Sequence, residues 1–153
     1  MMKDVHLMSE LQNNISQSSP RVLVVDDEAH IVQVVALKLR NAGIEVATAF
    51  DGEEALALLR SSNTNSLFQL VLTDLQMPGM SGIELAHAMA SDARISSIPV
   101  LILTARGHLL HEGEARSANI VGVVHKPFSP RALLAEVVSI LATQRPEQER
   151  SAA

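Results

Sequence analysis

The stretch LVLTDLQMPGMSG, residues 70–82, is the most informative segment of this 153-residue chain. It starts as an aliphatic run, stops at Asp74, and then brings Pro78, Gly79 and Gly82 into a short segment. A short apolar run bounded by Pro and Gly is typical of a buried strand that ends in a turn. Asp74 is therefore predicted to end a buried strand, where a carboxylate needs a partner.

Outward from this strand, strands and helices alternate along most of the chain. Strands are predicted at 21–25, 44–49, 68–74, 98–104 and 120–124, and helices at 30–43, 51–61, 81–92, 107–118 and 129–144. Strands one, three, four and five are continuous aliphatic runs, which is typical of parallel strands with helices on both faces. Right-handed crossovers then predict an α/β fold with a doubly wound, five-stranded parallel sheet.

Local signals mark the ends of three helices. Ser81 precedes the third helix and Glu84 follows at the capping-box position. Ser129 is a predicted N-cap, with proline at the next position. Gly43 is placed to end the first helix in a left-handed conformation.

Composition argues against several classes of function. Hydrophobic residues make up 47% of the chain, but only three residues are aromatic, and the net charge is −5 with no block of Lys and Arg. These features argue against binding to nucleic acid. The absence of cysteine excludes disulfides and thiolate metal sites. No secretory signal or transmembrane run is visible, so we expect a cytoplasmic protein without a membrane partner.

Both ends of the chain are polar. We expect a flexible N-terminal arm over residues 1–19 and a flexible C-terminal tail over residues 144–153. Between them, residues 20–143 are predicted to form one domain, as the length of the chain suggests.

Polar side chains follow four of the five predicted strands. Asp26 and Asp27 end the first strand, Asp74 the third, Thr104 the fourth, and Lys126 follows the fifth. Ligands of open α/β sheets bind at the carboxyl ends of the strands. Three neighbouring carboxylates must protonate or bind a cation, and their hard oxygen atoms suit Mg²⁺ or Mn²⁺. With a lysine and a hydroxyl nearby, the site suits a phosphoryl group, and Asp74 is the best candidate for its acceptor.

The sequence resembles the receiver domains of bacterial two-component response regulators. The resemblance covers about residues 20–143 and rests on four motifs in the family's order and spacing, VLVVDDE, LVLTDLQMPGMSGIEL, VLILTA and HKPF. It implies a flavodoxin-like sheet of strand order 2-1-3-4-5. It also implies a signalling phosphoacceptor rather than an enzyme that turns over a separate substrate.

The resemblance implies a role for each matching residue. Asp74 would accept a phosphoryl group from a phosphohistidine on a sensor histidine kinase or phosphotransfer protein, in a Mg²⁺-dependent reaction. The implied protein ligands of the metal are Asp26, which acts mainly through water, Asp27, Asp74 and the backbone carbonyl of Gln76. The implied phosphate-binding and switch groups are Thr104, the amide of Ala105, and Lys126. The Lys126–Pro127 peptide would be cis.

The chain departs from the family pattern at Val123. Many receivers have Tyr or Phe three residues before the site lysine, where rotation of the ring reports phosphorylation. Valine cannot provide that readout. Two variable positions, Gln76 and Arg106, would flank the phosphate, and we hypothesise that Arg106 contacts or shields the phosphoryl group and slows its hydrolysis.

The predicted fifth helix has a broad apolar surface. An inward stripe is formed by Leu133, Val137, Ile140 and Leu141. Leu134 and Val138 form a second stripe, which together with Val123, Leu109 and Leu110 is a candidate contact face for a downstream target or a homodimer. This face would be built from the fourth helix, fifth strand and fifth helix. The alternative, a wide stripe that faces the core, is equally compatible with the pattern.

Two other functions fit part of the pattern. A Mg²⁺-dependent phosphatase or phosphotransferase of the haloacid-dehalogenase type also has an Asp nucleophile after a strand, a Thr and a Lys. That family places a second Asp two residues later, where this chain has Gln76, and no cap insertion is present. A phosphorylation-independent interaction module on a receiver fold is the third hypothesis, which Val123 favours slightly.

Overall fold

The computed structural model describes residues 19–61, 67–105 and 118–144. Strands and helices alternate within these ranges: β1 (Arg21–Val25), α1 (Ala29–Asn41), β2 (Glu45–Ala49), α2 (Gly52–Ser61), β3 (Leu70–Asp74), α3 (Gly82–Ala90), β4 (Val100–Thr104), β5 (Ile120–His125) and α4 (Pro130–Thr143). The helix predicted at 107–118 lies outside the described residues except for its last position. The C-terminal helix α4 is therefore the fifth helix of the sequence prediction. The predicted arm and tail also lie almost wholly outside these ranges.

The strands form one parallel sheet in the order β2-β1-β3-β4-β5. This confirms the predicted α/β fold and its strand order. The central strand is β3, which pairs with β1 on one side and β4 on the other. Asp74, the last residue of β3, therefore lies in the middle of the carboxyl edge of the sheet.

The core consists of two apolar layers, one on each face of the sheet. Side chains of β1 alternate between them: Leu23 and Val25 pack in the layer with α2 and α3, whereas Val22 and Val24 pack in the layer with α1 and α4. Because both faces of the central strands are buried, these strands are mainly aliphatic and do not alternate with exposed polar residues.

The helix ends match the capping signals. Ser81 accepts a hydrogen bond from the backbone N–H of Glu84 at 3.1 Å, and Ser129 accepts one from that of Ala132 at 3.3 Å. Gly43 follows α1 with φ of +86°, as predicted for a glycine at a helix end. Of the helices described, none has the length and apolar character that crossing a bilayer requires.

Strand β5 is less buried than its aliphatic sequence predicts. It lies at the edge of the sheet, and its register with β4 shifts so that Ile120 pairs with Val100 and Gly122 with Leu101. Val121 has no partner in this register and is 44% exposed. A bulge of this kind is common on edge strands, where it discourages pairing with another chain.

Candidate functional site

Three aspartates meet at the carboxyl edge of the sheet. Asp26 and Asp27 directly follow β1, and Asp74 ends the neighbouring strand β3. One carboxylate oxygen of each residue lies within 4.8 Å of those of the other two. Asp26 is fully buried and Asp74 is 6% exposed, whereas Asp27 is open to solvent. The structure therefore brings together the carboxylates that the sequence placed at separate strand ends.

Lys126 bridges two of these carboxylates. Its Nζ donates a hydrogen bond to Oδ2 of Asp26 at 2.8 Å and lies 3.4 Å from Oδ1 of Asp74. The side chain is 11% exposed, so it is not a solvated loop lysine. The backbone N–H of Lys126 donates to the carbonyl of Thr104 at 2.7 Å, and the Lys126–Pro127 peptide is cis, as the sequence resemblance implied.

Asp26 is held by partners on both oxygens. Oδ2 accepts from Lys126, and Oδ1 accepts the backbone N–H of Glu28 at 2.9 Å. Glu28 is the N-cap residue of α1, but its side chain makes no capping hydrogen bond. The acidic pair after β1 therefore serves the strand-end cluster rather than capping the next helix.

The cluster carries more negative than positive charge. Burial raises the pKa of Asp74, and the negative charge of Asp26 raises it further, against the opposing effect of Lys126. Burial lowers the pKa of Lys126, but hydrogen bonding to Asp26 and the charges of Asp26 and Asp74 outweigh this effect and raise it. One ammonium faces three carboxylates, so the donor set fits a hard divalent cation such as Mg²⁺.

The loop behind Asp74 folds back tightly on the end of β3. Gly82, the first residue of α3, donates its N–H to the carbonyl of Leu75 at 2.9 Å. A Cβ atom on Gly82 would collide with the carbonyl oxygen of Asp74. Gly79 has φ of +76°, a conformation that favours glycine. These constraints account for the glycines of the MPGMSG segment, and the exposed Gln76 lies in the same loop.

The remaining predicted site residues lie around the end of β4. Thr104 ends β4 and is buried, and Ala105 follows it at an exposed position. Arg106 lies outside the described residues. Val123 in β5 is partly buried and pairs with Ile102 of β4, which places it on the strand that leads to Lys126.

Sequence reasoning missed the buried hydroxyl of Thr73. This residue is fully buried, and its Oγ1 donates to the carbonyl of Asp74 at 3.0 Å. The signal for it was the single hydroxyl in the otherwise aliphatic run that leads to Asp74. Such a group needs a hydrogen-bond partner when it is buried.

A groove of about 410 Å³ opens beside the cluster. It lies between the first turns of α1 and the segment after β5, with Lys126 and Ala105 in its wall and Ile31, Val34 and Phe128 among its apolar residues. A larger groove of about 530 Å³ lies at the start of β2, near Arg40 and Val46, at the opposite end of the sheet from the carboxylates.

Comparison with known proteins agrees with this geometry. A family model described as the response regulator receiver domain matches residues 22–138. The chemotaxis protein CheY of Pseudomonas aeruginosa is 36% identical over 121 residues, which cover 78% of this chain and 94% of that protein. The phosphate regulon transcriptional regulatory protein PhoB of the same species is 34% identical over 82% of this chain, and the match spans 53% of PhoB.

Solved structures give the same result. The chemotaxis response regulator CheY4 of Vibrio cholerae superposes with a TM-score of 0.72 at 33% identity, over 80% of this chain and 99% of that chain. The receiver domain of the Francisella response regulator 1452 gives a TM-score of 0.71 at 31% identity, over 83% and 100% respectively. The chain therefore belongs to the response regulator receiver domains, a family of signalling phosphoacceptors in two-component systems.

Proposed function

We propose that Asp74 is the residue that accepts the phosphoryl group. The observation that carries this proposal is the position of Lys126, whose Nζ is 2.8 Å from Asp26 and 3.4 Å from Asp74 at the centre of the carboxyl edge. Asp74 is the carboxylate at the end of the central strand. It is the natural nucleophile, while Asp26 is held on both oxygens.

In the proposed transfer, a carboxylate oxygen of Asp74 attacks the phosphorus of a phosphohistidine. An O–P bond forms as the P–N bond breaks, and the imidazole nitrogen leaves with the electron pair of the broken bond and takes up a proton. Lys126 binds a phosphoryl oxygen and offsets its charge. The hydroxyl of Thr104 and the amide of Ala105 donate hydrogen bonds to the phosphoryl group after transfer.

We further propose that Asp26, Asp27, Asp74 and the backbone carbonyl of Gln76 hold Mg²⁺, with Mn²⁺ as an alternative ion. The proximity of the three carboxylates and the raised pKa of Asp74 support this assignment. When bound, the ion supplies positive charge that offsets charge on the transferring phosphoryl oxygens. The chain's own contribution is to hold the carboxylates on two adjacent, rigidly paired strands.

Intact mass spectrometry tests the acceptor directly. Incubation with Mg²⁺ and acetyl phosphate is expected to add about 80 Da, the mass of one phosphoryl group on an aspartate. Asp74→Ala should remove this adduct. Asp51→Asn is a matched control, because Asp51 also lies after a strand but outside the cluster. Its Oδ1 accepts the backbone N–H of Glu54 and caps α2, and the side-chain oxygen of Asn can accept the same hydrogen bond.

The absence of an adduct on the wild-type chain would contradict the proposal and favour a phosphorylation-independent interaction module. An undiminished adduct on Asp74→Ala would mean that another residue is the acceptor.

The same assay tests the role of Arg106. If its side chain shields the phosphoryl group, the Arg106→Ala variant should lose the adduct faster than the wild-type chain does.

The proposed partners are a sensor histidine kinase or phosphotransfer protein and a downstream protein target. For the target, we propose the surface around β5 and α4. Leu133, Val137 and Ile140 of α4 are buried in the core, and Leu141 is partly buried against it, so the inward stripe faces the core.

Leu134 of the second stripe and Val123 of β5 are also partly buried against the core, which favours the core-facing alternative for these two side chains. Leu109 and Leu110 lie outside the described residues. Val138 is 51% exposed, and Val121 of β5 is 44% exposed. These two exposed apolar side chains support a contact face for the target protein. The alternative is a homodimer formed through the same face. Light scattering with and without a phosphate analogue measures the molar mass and distinguishes a monomer from a dimer.

A further inference from the structure

Thr73 is the residue directly before the proposed phosphoacceptor. Its side chain is fully buried in β3, with Val25 and Ile102 as its register partners on the two neighbouring strands. Valine has nearly the same volume and would suit these aliphatic neighbours. A buried hydroxyl at such a position is unfavourable unless it makes a hydrogen bond. Threonine is therefore not explained by packing alone.

The hydroxyl acts on the peptide group of Asp74. Oγ1 of Thr73 donates to the carbonyl of Asp74 at 3.0 Å. The pairing of β1 with β3 ends at Val25 and Thr73, one residue before Asp74. The Asp74 peptide therefore lies where the ladder with β1 has run out, and Thr73 supplies a hydrogen bond at that place.

The same hydroxyl lies at the base of the loop that follows. Oγ1 of Thr73 is 4.0 Å from Sδ of Met77, and the backbone of Gly82 packs against the carbonyl that Thr73 binds. The N–H of Gly82 closes the loop onto Leu75 at 2.9 Å. Thr73 and Gly82 therefore meet at one carbonyl, at the point where the loop leaves β3 and returns to α3.

We infer that Thr73 is a positioning residue for the candidate metal and phosphorylation site. Its hydroxyl fixes the peptide of Asp74 and the start of the loop, and thereby the direction of the Asp74 carboxylate and of the Gln76 carbonyl. This inference rests on the proposed function, because it assigns these two groups to the metal. Groups that orient metal ligands in this way commonly change metal affinity by tenfold or more when they are removed.

The test compares Thr73→Val, which removes the hydroxyl, with Thr73→Ser, which keeps it. Mg²⁺ binding to the full chain is measured by titration calorimetry, and exchange of the Gly82 amide is measured by NMR without metal. Thr143→Val is the control, since it removes a hydroxyl that donates to the carbonyl of Ile140 at 2.7 Å at the end of α4.

We expect Thr73→Val to weaken Mg²⁺ binding by roughly tenfold and to speed exchange of the Gly82 amide. Thr73→Ser should restore both, and Thr143→Val should change neither. Wild-type affinity in a folded Thr73→Val variant would overturn the inference while leaving Asp74 as acceptor. A wild-type chain that binds no Mg²⁺ would overturn the inference and the metal assignment together, whereas the mass of the phosphorylated chain reports separately on Asp74.

Discussion

At the scale of single residues, the site depends on an imbalance of charge that the fold tolerates. Asp74 and Asp26 are both buried, and only Lys126 provides a positive partner for them among the ion pairs of the described residues. A buried carboxylate beside a like charge reduces stability, and folded proteins keep such groups mainly where function needs them. The same burial and repulsion that reduce stability also raise the pKa of Asp74.

This cost predicts that Asp74→Asn stabilises the metal-free protein at neutral pH. The substitution removes a buried negative charge, while Lys126 keeps its hydrogen bond to Asp26. We expect the free energy of unfolding to rise by about 1 kcal/mol, a usual size for one substitution. Urea unfolding in EDTA, followed by far-UV circular dichroism, measures the change. Asp51→Asn, outside the cluster, should show no such gain.

The same effect predicts a pH dependence. Because folded Asp74 has a raised pKa, it keeps its proton to a higher pH than the unfolded chain does. Stability attributable to this residue is therefore greatest at low pH and is lost as the pH rises through the range between the two pKa values. The advantage of Asp74→Asn should be small below about pH 4, near the ordinary pKa of aspartate, and grow above it. An advantage that shrank with rising pH would contradict the assignment.

At the scale of elements, the loop between β3 and α3 turns sharply after Asp74 and returns to pack against the end of β3. Gly79 gives the turn its left-handed residue, and Gly82 lets the helix start against the carbonyl of Asp74. The sequence indicated a structural role for the MPGMSG segment, but the contact of Gly82 with Asp74 could not be predicted. That contact depends on the distance between the start of α3 and the end of β3, and this distance cannot be read from the sequence of the segment.

Gly82→Ala is therefore predicted to be more harmful than Gly79→Ala. A Cβ atom on Gly82 would force the backbone of Asp74 and Leu75 to shift, whereas one on Gly79 has open space and adds only backbone strain. We expect losses in the free energy of unfolding of about 3 kcal/mol for Gly82→Ala and about 1 kcal/mol for Gly79→Ala. Urea unfolding measures both. Equal losses would mean that the loop yields at Gly82 and that the close approach is not rigid.

At the scale of the whole molecule, periodicity was enough to predict a parallel α/β sheet, and strand-end chemistry was enough to predict that three carboxylates meet at its carboxyl edge. The strand order was implied by the resemblance to receiver domains, and the structure has that order. The weaker burial of β5 was not predicted, because an aliphatic run looks the same on a central strand and on a bulged edge strand. Thr73 was missed because the hydrogen bond from its hydroxyl to the carbonyl of Asp74 depends on the backbone conformation at the end of β3.

The proposed metal joins β1 to β3, so its binding should stabilise the whole domain. A ligand that binds only the folded state adds about 2.7 kcal/mol to the free energy of unfolding at a concentration of 100 Kd. We expect Mg²⁺ to do so for the wild-type chain. The chain has no Trp or Tyr, so far-UV circular dichroism in urea is the suitable measurement.

Asp27→Asn separates metal binding from the packing of the domain. Asp27 is exposed, and none of the ion pairs found in the described residues uses it, so its replacement should change the metal-free stability little. It should nevertheless remove most of the stabilisation by Mg²⁺, because a ligand is lost while the fold is kept. Asp51→Asn should retain the full increment. If Asp27→Asn gained as much from Mg²⁺ as the wild-type chain, the ion would have to bind somewhere other than between β1 and β3.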